Sequence, residues 1–238
     1  VTIKSLALDG SGPLGGVALL EEEHVVASTT FAEGPGFGVA LFAQVAEILA
    51  QNHLVVANLN LLTVALGPGS FTGLRFALGL AKGMAMVHDI PVVGVSTLAL
   101  AAADVRENNG WILPIRDAGN HFVFYALYQS IHKKITPIFP PTMGRMDTLT
   151  TMLKTATGSE AVLCCGSGLK VVGDQLQELL RERFVVHENP FSQPSAGLLG
   201  RLGLETWRNN GKLPSPMDLE PLYLRPPQAE WNRREQIG

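Results

Sequence analysis

One order of apolar runs, occurring twice, most constrains what this chain can fold into. Short apolar stretches cover residues 3–8, ending at Asp9, and 14–20, ending at Glu21-Glu22-Glu23; a third, 24–31, is rich in Val and Thr and precedes Gly34-Pro35-Gly36. Runs of this length bounded by Gly, Pro and acidic residues read as strands. Phe37, Leu41, Val45, Ile48 and Leu49 then fall on one face at helical spacing. A strand over 61–66, a helix over 72–88, a strand over 92–95 and a helix through Asp104, capped by Ser96 or Thr97, complete the first half. The second half repeats the order. Strands fit 111–115, 122–128 and 131–138, and a helix fits 147–155 with Asp147 as its candidate cap. A strand at 161–165, a helix at 169–180, a short strand at 184–187 and a last helix at 196–207 follow. Each half therefore reads β-β-β-α-β-α-β-α, with little residue identity between the halves.

Strand–helix–strand crossovers force part of each sheet to be parallel and covered by helices, so the expected class is α/β. Three strands followed by two such crossovers is the order of a ribonuclease H-like unit. Two of them in tandem resemble the actin/Hsp70/sugar-kinase superfamily. A chain of 238 residues suits two small domains, and the polar loop Glu107-Asn108-Asn109-Gly110 marks the break. The expected division is 1–106, 107–225 and a flexible tail, 226–238, that includes Trp231.

Charge narrows the partners. The formal net charge is −3, with no basic footprint of the kind that grips nucleic acid unaided. Charged residues make up 16% of the chain, against about 25% in a typical soluble domain. That leaves more apolar surface than a lone monomer needs. The longest stretch without Asp, Glu, Lys or Arg, 48–74, is interrupted by Asn52, His53, Gly67, Pro68 and Gly69 and does not read as a membrane span. The first residues, Val1-Thr2-Ile3-Lys4-Ser5, lack a signal-peptide plan. Cys164 and Cys165 are adjacent and, in a strand, point to opposite faces; a reducing compartment, the cytoplasm, is the expectation. The six histidines form no i, i+4 pair and no H-E-x-x-H, so no metal site is expected.

The sharpest local pattern is Ala65-Leu66-Gly67-Pro68-Gly69-Ser70-Phe71-Thr72-Gly73-Leu74-Arg75, where a strand ends, a glycine-rich turn follows and a helix opens. Backbone N–H groups at such a place can hold an anion. The spacing G-x-G-x-x-x-G is one residue too long for a dinucleotide fingerprint, and Lys82 follows Ala81 rather than a loop glycine. Pro68 and Thr72 stand where a nucleophile elbow around Ser70 needs glycines. The plainer reading is a tight turn capped by Ser70 or Thr72. In the helix beyond it, Gly73, Ala77, Ala81 and Ala85 form a line of small residues at i, i+4 spacing, and Gly79 and Gly83 form a second line. Each interior glycine costs about 1 kcal/mol relative to alanine, a cost that close approach of another backbone offsets. That backbone belongs either to the chain's own sheet and the helix from Phe37, or to a second subunit. Two acidic turns, Asp9-Gly10-Ser11-Gly12 and Asp117-Ala118-Gly119-Asn120, occupy equivalent places in the two halves. In superfamily kinases and ATPases the first of these contacts phosphate; the plainer reading is two hairpin turns with Asp and Gly there for backbone reasons.

These residues resemble the TsaB (YeaZ-like) family. The match runs most closely over 62–100: Gly67 to Arg75, then Ala81-Lys82-Gly83, then Pro91-Val92-Val93-Gly94-Val95-Ser96-Thr97-Leu98. Leu8-Asp9-Gly10-Ser11, Pro114-Ile115-Arg116-Asp117-Ala118, Tyr125-Ala126-Leu127-Tyr128 and Pro221-Leu222-Tyr223-Leu224-Arg225 extend it across most of the chain. The sequence departs from the family where the first helix often begins His-Ser, here Pro35-Gly36-Phe37-Gly38, and where a basic pair often follows the second acidic turn, here Gly119-Asn120. The resemblance implies a subunit, without chemistry of its own, of the machinery that forms N6-threonylcarbamoyladenosine at position 37 of tRNA. It implies pairing with TsaD, which carries the metal site and transfers the threonylcarbamoyl group from threonylcarbamoyl-AMP, and with the ATPase TsaE. It implies only indirect contact with tRNA, a homodimer through the same surface when alone, and ATP, ADP and metal held by the partners. The interface is expected on the helices at 37–49 and 74–87, through Phe37, Leu41, Val45, Gly73, Leu74, Ala77, Leu78, Ala81, Lys82 and Ala85, with Arg75 and Lys82 at its rim or bonded to the Gly67 loop. The rival reading is a small-molecule kinase or ATPase of the same superfamily using Asp9 and Asp117; a hydrolase has no nucleophile–base pair in the sequence to support it.

Overall fold

The computed structural model describes residues 2–32, 34–106, 109–187, 195–210 and 213–224. The first sheet is built from β1 (Lys4–Asp9), β2 (Leu14–Glu21), β3 (His24–Ala32), β4 (Leu61–Gly67) and β5 (Val92–Ser96), in the order β3-β2-β1-β4-β5. The second is built from β6 (Gly110–Gly119), β7 (Phe122–Ile131), β8 (Lys134–Gly144), β9 (Val162–Cys165) and β10 (Phe184–Val186), in the order β10-β9-β6-β7-β8. Read from its other end, the second order repeats the first. In both, three consecutive strands pair antiparallel and the two later ones join in parallel. This is the ribonuclease H-like unit in tandem, as in the actin/Hsp70/sugar-kinase superfamily.

The helices are α1 (Phe37–Gln51), α2 (Phe71–His88), α3 (Thr97–Asp104), α4 (Met146–Ala156), α5 (Leu169–Leu180) and α6 (Ala196–Asn209). Central strands buried on both sides read as nearly continuous apolar runs, and β4, Leu61-Leu62-Thr63-Val64-Ala65, is one, broken only by Thr63. Its Leu62 and Val64, with Leu6 and Leu8 of β1, pack against α1 and α2. The five apolar residues picked out by spacing in α1, Phe37, Leu41, Val45, Ile48 and Leu49, are its five buried residues. Ser70 is the cap of α2, its Oγ accepting from the Gly73 N–H at 3.2 Å. Thr97 Oγ1 donates to the Pro68 carbonyl at 2.6 Å, while the Ser96 hydroxyl accepts from Leu98 N–H. Helix α4 begins one residue before the expected Asp147, which lies inside its first turn.

The domain division differs from the sequence expectation in one segment, which carries the last helix and the 3-10 turn after it. One compact unit is Val1–Asp104 together with Gln193–Pro221, and the other is Val105–Ser192 with Leu222–Gly238. The last helix, placed in the second domain by its position in the chain, covers the first sheet instead. The reason is a line of glycines. An added Cβ at Gly200 would lie 2.3 Å from Leu20, and one at Gly203 would lie 1.9 Å from the Thr63 hydroxyl. Without side chains there, α6 settles flat on β1, β2 and β4. At its rim Arg208 pairs with Glu22 and Glu23, and Arg201 Nε donates to the Glu23 carbonyl. Exposed pairs of this kind add about 0–1 kcal/mol, so apolar packing does most of the holding. The tail 226–238, with Trp231, lies outside the described residues.

In the second unit Trp111, Leu113, Ile115, Val123, Tyr125 and Leu127 pack with α4 and α5, and the Tyr125 and Phe139 rings stack at 6.1 Å. Edge strand β8 carries Pro137, Pro140 and Pro141, which cannot donate to a further strand. Both cysteines are buried thiols. Burial, and secondarily the neighbouring Cys165, pushes the Cys164 thiol well above its ordinary range. A thiol pKa raised in the native state leaves that state protonated while the unfolded chain ionises near pH 8.5. Stability is therefore full below that pH and falls as pH rises past it, by at most about 1.4 kcal/mol per pH unit. Cys164→Ala is expected to flatten the alkaline limb of a denaturation series between pH 7 and 10. A slope unchanged by the substitution would contradict this assignment.

Candidate functional site

The glycine-rich turn is a structural clasp. Gly67 closes β4 at φ 97°, and its peptide bond to Pro68 is cis. Ser70 N–H donates to the Ser11 carbonyl at 2.9 Å. A Cβ on Gly69 would sit 2.1 Å from that same carbonyl oxygen, and one on Gly73 would sit 2.1 Å from the carbonyl oxygen of Gly10. The turn between β1 and β2 is thus pressed against the start of α2. Asp9 belongs to this clasp: it is 1% exposed, and its carboxylate accepts from the Ser11 N–H at 2.8 Å. The other half is built alike. Asp117 accepts from Gly119 N–H at 2.7 Å, Asp117 N–H donates to Ser167 Oγ, and Gly168 N–H donates to the Ile115 carbonyl. Asp117 itself is exposed. Each acidic turn thus makes the same Asp-to-N–H bond two residues on, within its own unit. Among the described residues no three His, Cys, Asp or Glu side chains gather as metal ligands, and no helix is long and apolar enough to cross a membrane.

The expected interface residues prove to face inward. Phe37, Leu41, Val45, Gly73, Leu74, Ala77, Leu78, Ala81 and Ala85 are all buried in the first unit. The first small-residue line, Gly73 to Ala85, lets α2 lie close on its own sheet, which answers one half of the question that the sequence left open. Lys82 is half-buried, and its ammonium donates to the Met217 carbonyl at 2.9 Å, tying α2 to a turn of 3-10 helix at Pro216–Asp218. The Arg75 guanidinium lies 3.8 Å over the Phe71 ring, one turn into α2 beside the exposed Thr72.

The opposite faces of α1 and α2 carry the unusual surface. Val39 is 75% exposed, Phe42 63%, Phe76 50%, Met86 72% and Val87 75%. Ala43, Ala46 and Ala50 share this outward side of α1, with Glu47 the charged residue among them. Gly79 and Gly83, the second small line, are exposed, and a Cβ on either would meet nothing within 4 Å among the described residues. Residues 39, 42, 46 and 50 and residues 76, 79, 83, 86 and 87 recur at intervals of three and four, the spacing of a helix-packing seam. Helix α5 shows the ordinary alternative, with Lys170, Asp174, Gln175, Gln177 and Glu178 outward. The signal in the sequence was that α1 and α2 carry apolar residues on more of their circumference than one buried face uses.

The family model for TsaD, tRNA N6-adenosine threonylcarbamoyltransferase, matches residues 31–179. The tRNA threonylcarbamoyladenosine biosynthesis protein TsaB of Bacillus subtilis is 30% identical over 225 residues, covering 94% of this chain and 95% of the relative. TsaB of Escherichia coli is 36% identical over 91 residues, 37% of this chain and 39% of the relative. The solved structure of YeaZ from Pseudomonas aeruginosa is 25% identical, with a TM-score of 0.76 over 93% of this chain and 100% of that one. The chain belongs to the TsaB (YeaZ-like) family.

Proposed function

We propose that this chain serves the biosynthesis of threonylcarbamoyladenosine in tRNA as a non-catalytic partner subunit that binds TsaD through the outward faces of α1 and α2. The observation that carries the reading is that nearly uncharged face, exposed in the isolated chain. A contiguous apolar patch beyond a few hundred Å² marks an interaction site, and a stable interface needs about 800 Å² from each partner. Two adjacent helices with seams at three-and-four spacing suit a partner that presents helices of its own. The same face suits a second copy of the chain when TsaD is absent. The complex is completed by TsaE, with nucleotide and metal held by the partners and tRNA reached through TsaD.

Light scattering of the chain alone, then mixed with its cognate TsaD, tests this. A homodimer that exchanges for a one-to-one heterodimer is expected. A monomer that ignores TsaD would sink the reading. The kinase alternative places Asp9 at a phosphate, yet that carboxylate is buried and bonded to its own turn. ATP turnover by the isolated chain is expected to stay at background in the wild type and in Asp9→Asn alike; turnover that the substitution abolishes would revive the alternative.

A further inference from the structure

The seam ends in a depression at the start of both helices. It encloses about 520 Å³ and is lined by Gly36, Gly38, Val39, Phe42, Thr72 and Phe76, among others, none of them ionisable. Two glycines shape it. Gly36 caps α1 at φ 84°, a conformation that side chains resist, and with no Cβ it leaves its side of the depression open. A Cβ on Gly38 would lie 2.6 Å from the Phe76 ring, so glycine lets that ring lie across α1 as a wall. Phe42 forms another wall, and both rings stay half or more exposed.

Resting on the partner reading above, we propose that this depression is a socket for one bulky uncharged side chain, aromatic or branched, carried on a helix of TsaD. Three observations commit it to that occupant. The lining offers no counter-charge, so a charged group entering it would lose its solvation without return. Val39, Phe42 and Phe76 belong both to the socket and to the seam, so whatever covers one covers the other. Two exposed rings facing one space favour edge-to-face or offset packing with an inserted ring. Interfaces concentrate their energy in such anchors seated in pockets and ringed by near-neutral contacts.

Calorimetric titration of cognate TsaD into four forms of the chain tests the socket. Thr72→Trp fills it from an exposed position and is expected to weaken binding at least tenfold, while Gln177→Trp, on the outward side of α5, leaves it unchanged. Gly83→Trp tests the seam away from the socket. If Gly83→Trp blocks binding and Thr72→Trp binds like wild type, the socket is overturned and the partner reading stands. If neither variant weakens binding, both fall. A loss in Thr72→Trp confined to self-association assigns the socket to a second copy and also overturns the proposal. Should Thr72→Trp fail to fold by circular dichroism, Val39→Glu, which places a charge at the mouth, is read in the same way.

Discussion

Gly83→Trp should abolish association with TsaD, by a factor of a hundred or more in Kd, while leaving the fold of the isolated chain intact. The position is exposed in the middle of the α2 seam, with no atom of the described residues near an added Cβ, so an indole there costs the free chain little and blocks whatever helix crosses at that point. The choice of residue matters. Ala81→Arg, two residues earlier, would also abolish binding, but through unfolding, because Ala81 is fully buried against the sheet. Equilibrium denaturation separates the two: Gly83→Trp should melt like wild type and Ala81→Arg should not. Retained binding by a folded Gly83→Trp would remove the middle of α2 from the interface.

The alanine variants of the same glycines make the argument sharper. An exposed glycine within a helix costs about 0.5–1 kcal/mol relative to alanine, and nothing among the described residues requires glycine at 79 or 83. Gly79→Ala with Gly83→Ala should therefore raise the melting temperature, by about 2–4 °C for each kcal/mol gained in a protein of this size. The same pair should weaken TsaD binding if a partner backbone approaches there. Stability gained and association lost together would place the reason for these glycines outside the chain.

The sequence made the order of elements legible because each strand and helix announces itself locally. Apolar runs end at Asp9, Gly67 and Gly34-Pro35-Gly36, and α1 shows its buried side through five residues at one spacing. Two things were not legible, for one physical reason. The positions at helical intervals in α2 form two lines of small residues, and periodicity alone does not tell which line meets the sheet. Spacing left both lines open, the family resemblance put Gly73, Ala77, Ala81 and Ala85 at the interface, and the fold turned that line inward and Gly79 with Gly83 outward. The placement of α6 was hidden likewise. Chain order puts it after the second unit, whereas the partner of Gly200 and Gly203 is a surface formed by β1, β2 and β4, far away in sequence. Such a partner emerges only once the first sheet exists.

Gly203→Val is expected to destabilise the first unit severely, with a sign opposite to the outward glycines. On the scale of helix propensity, replacing a glycine should help or cost little. Here the new Cβ falls 1.9 Å from the hydroxyl and 2.5 Å from the methyl of Thr63. Thr63 sits on β4, between β1 and β5, and is fully buried. Its branched side chain is stiff about χ1, and the strand that carries it is bonded on both sides, so relief must come from α6 lifting off the sheet. Overpacking of this kind costs about 1–3 kcal/mol, and lifting the helix adds exposure of Leu199, Leu202 and Leu204, which it buries. The sum is comparable to the roughly 5–15 kcal/mol that holds a domain folded. Gly203→Val should therefore lower the denaturation midpoint markedly, and Gly203→Ala should lower it less. A pair of curves superimposed on wild type would mean that α6 does not depend on this contact, and that the ion pairs of Arg208 hold it instead. Thr63→Ala combined with Gly203→Ala decides between these accounts: if the clash is the cause, removing the Thr63 hydroxyl and methyl restores part of what Gly203→Ala alone removes, the Cβ of residue 63 at 2.7 Å remaining in the way.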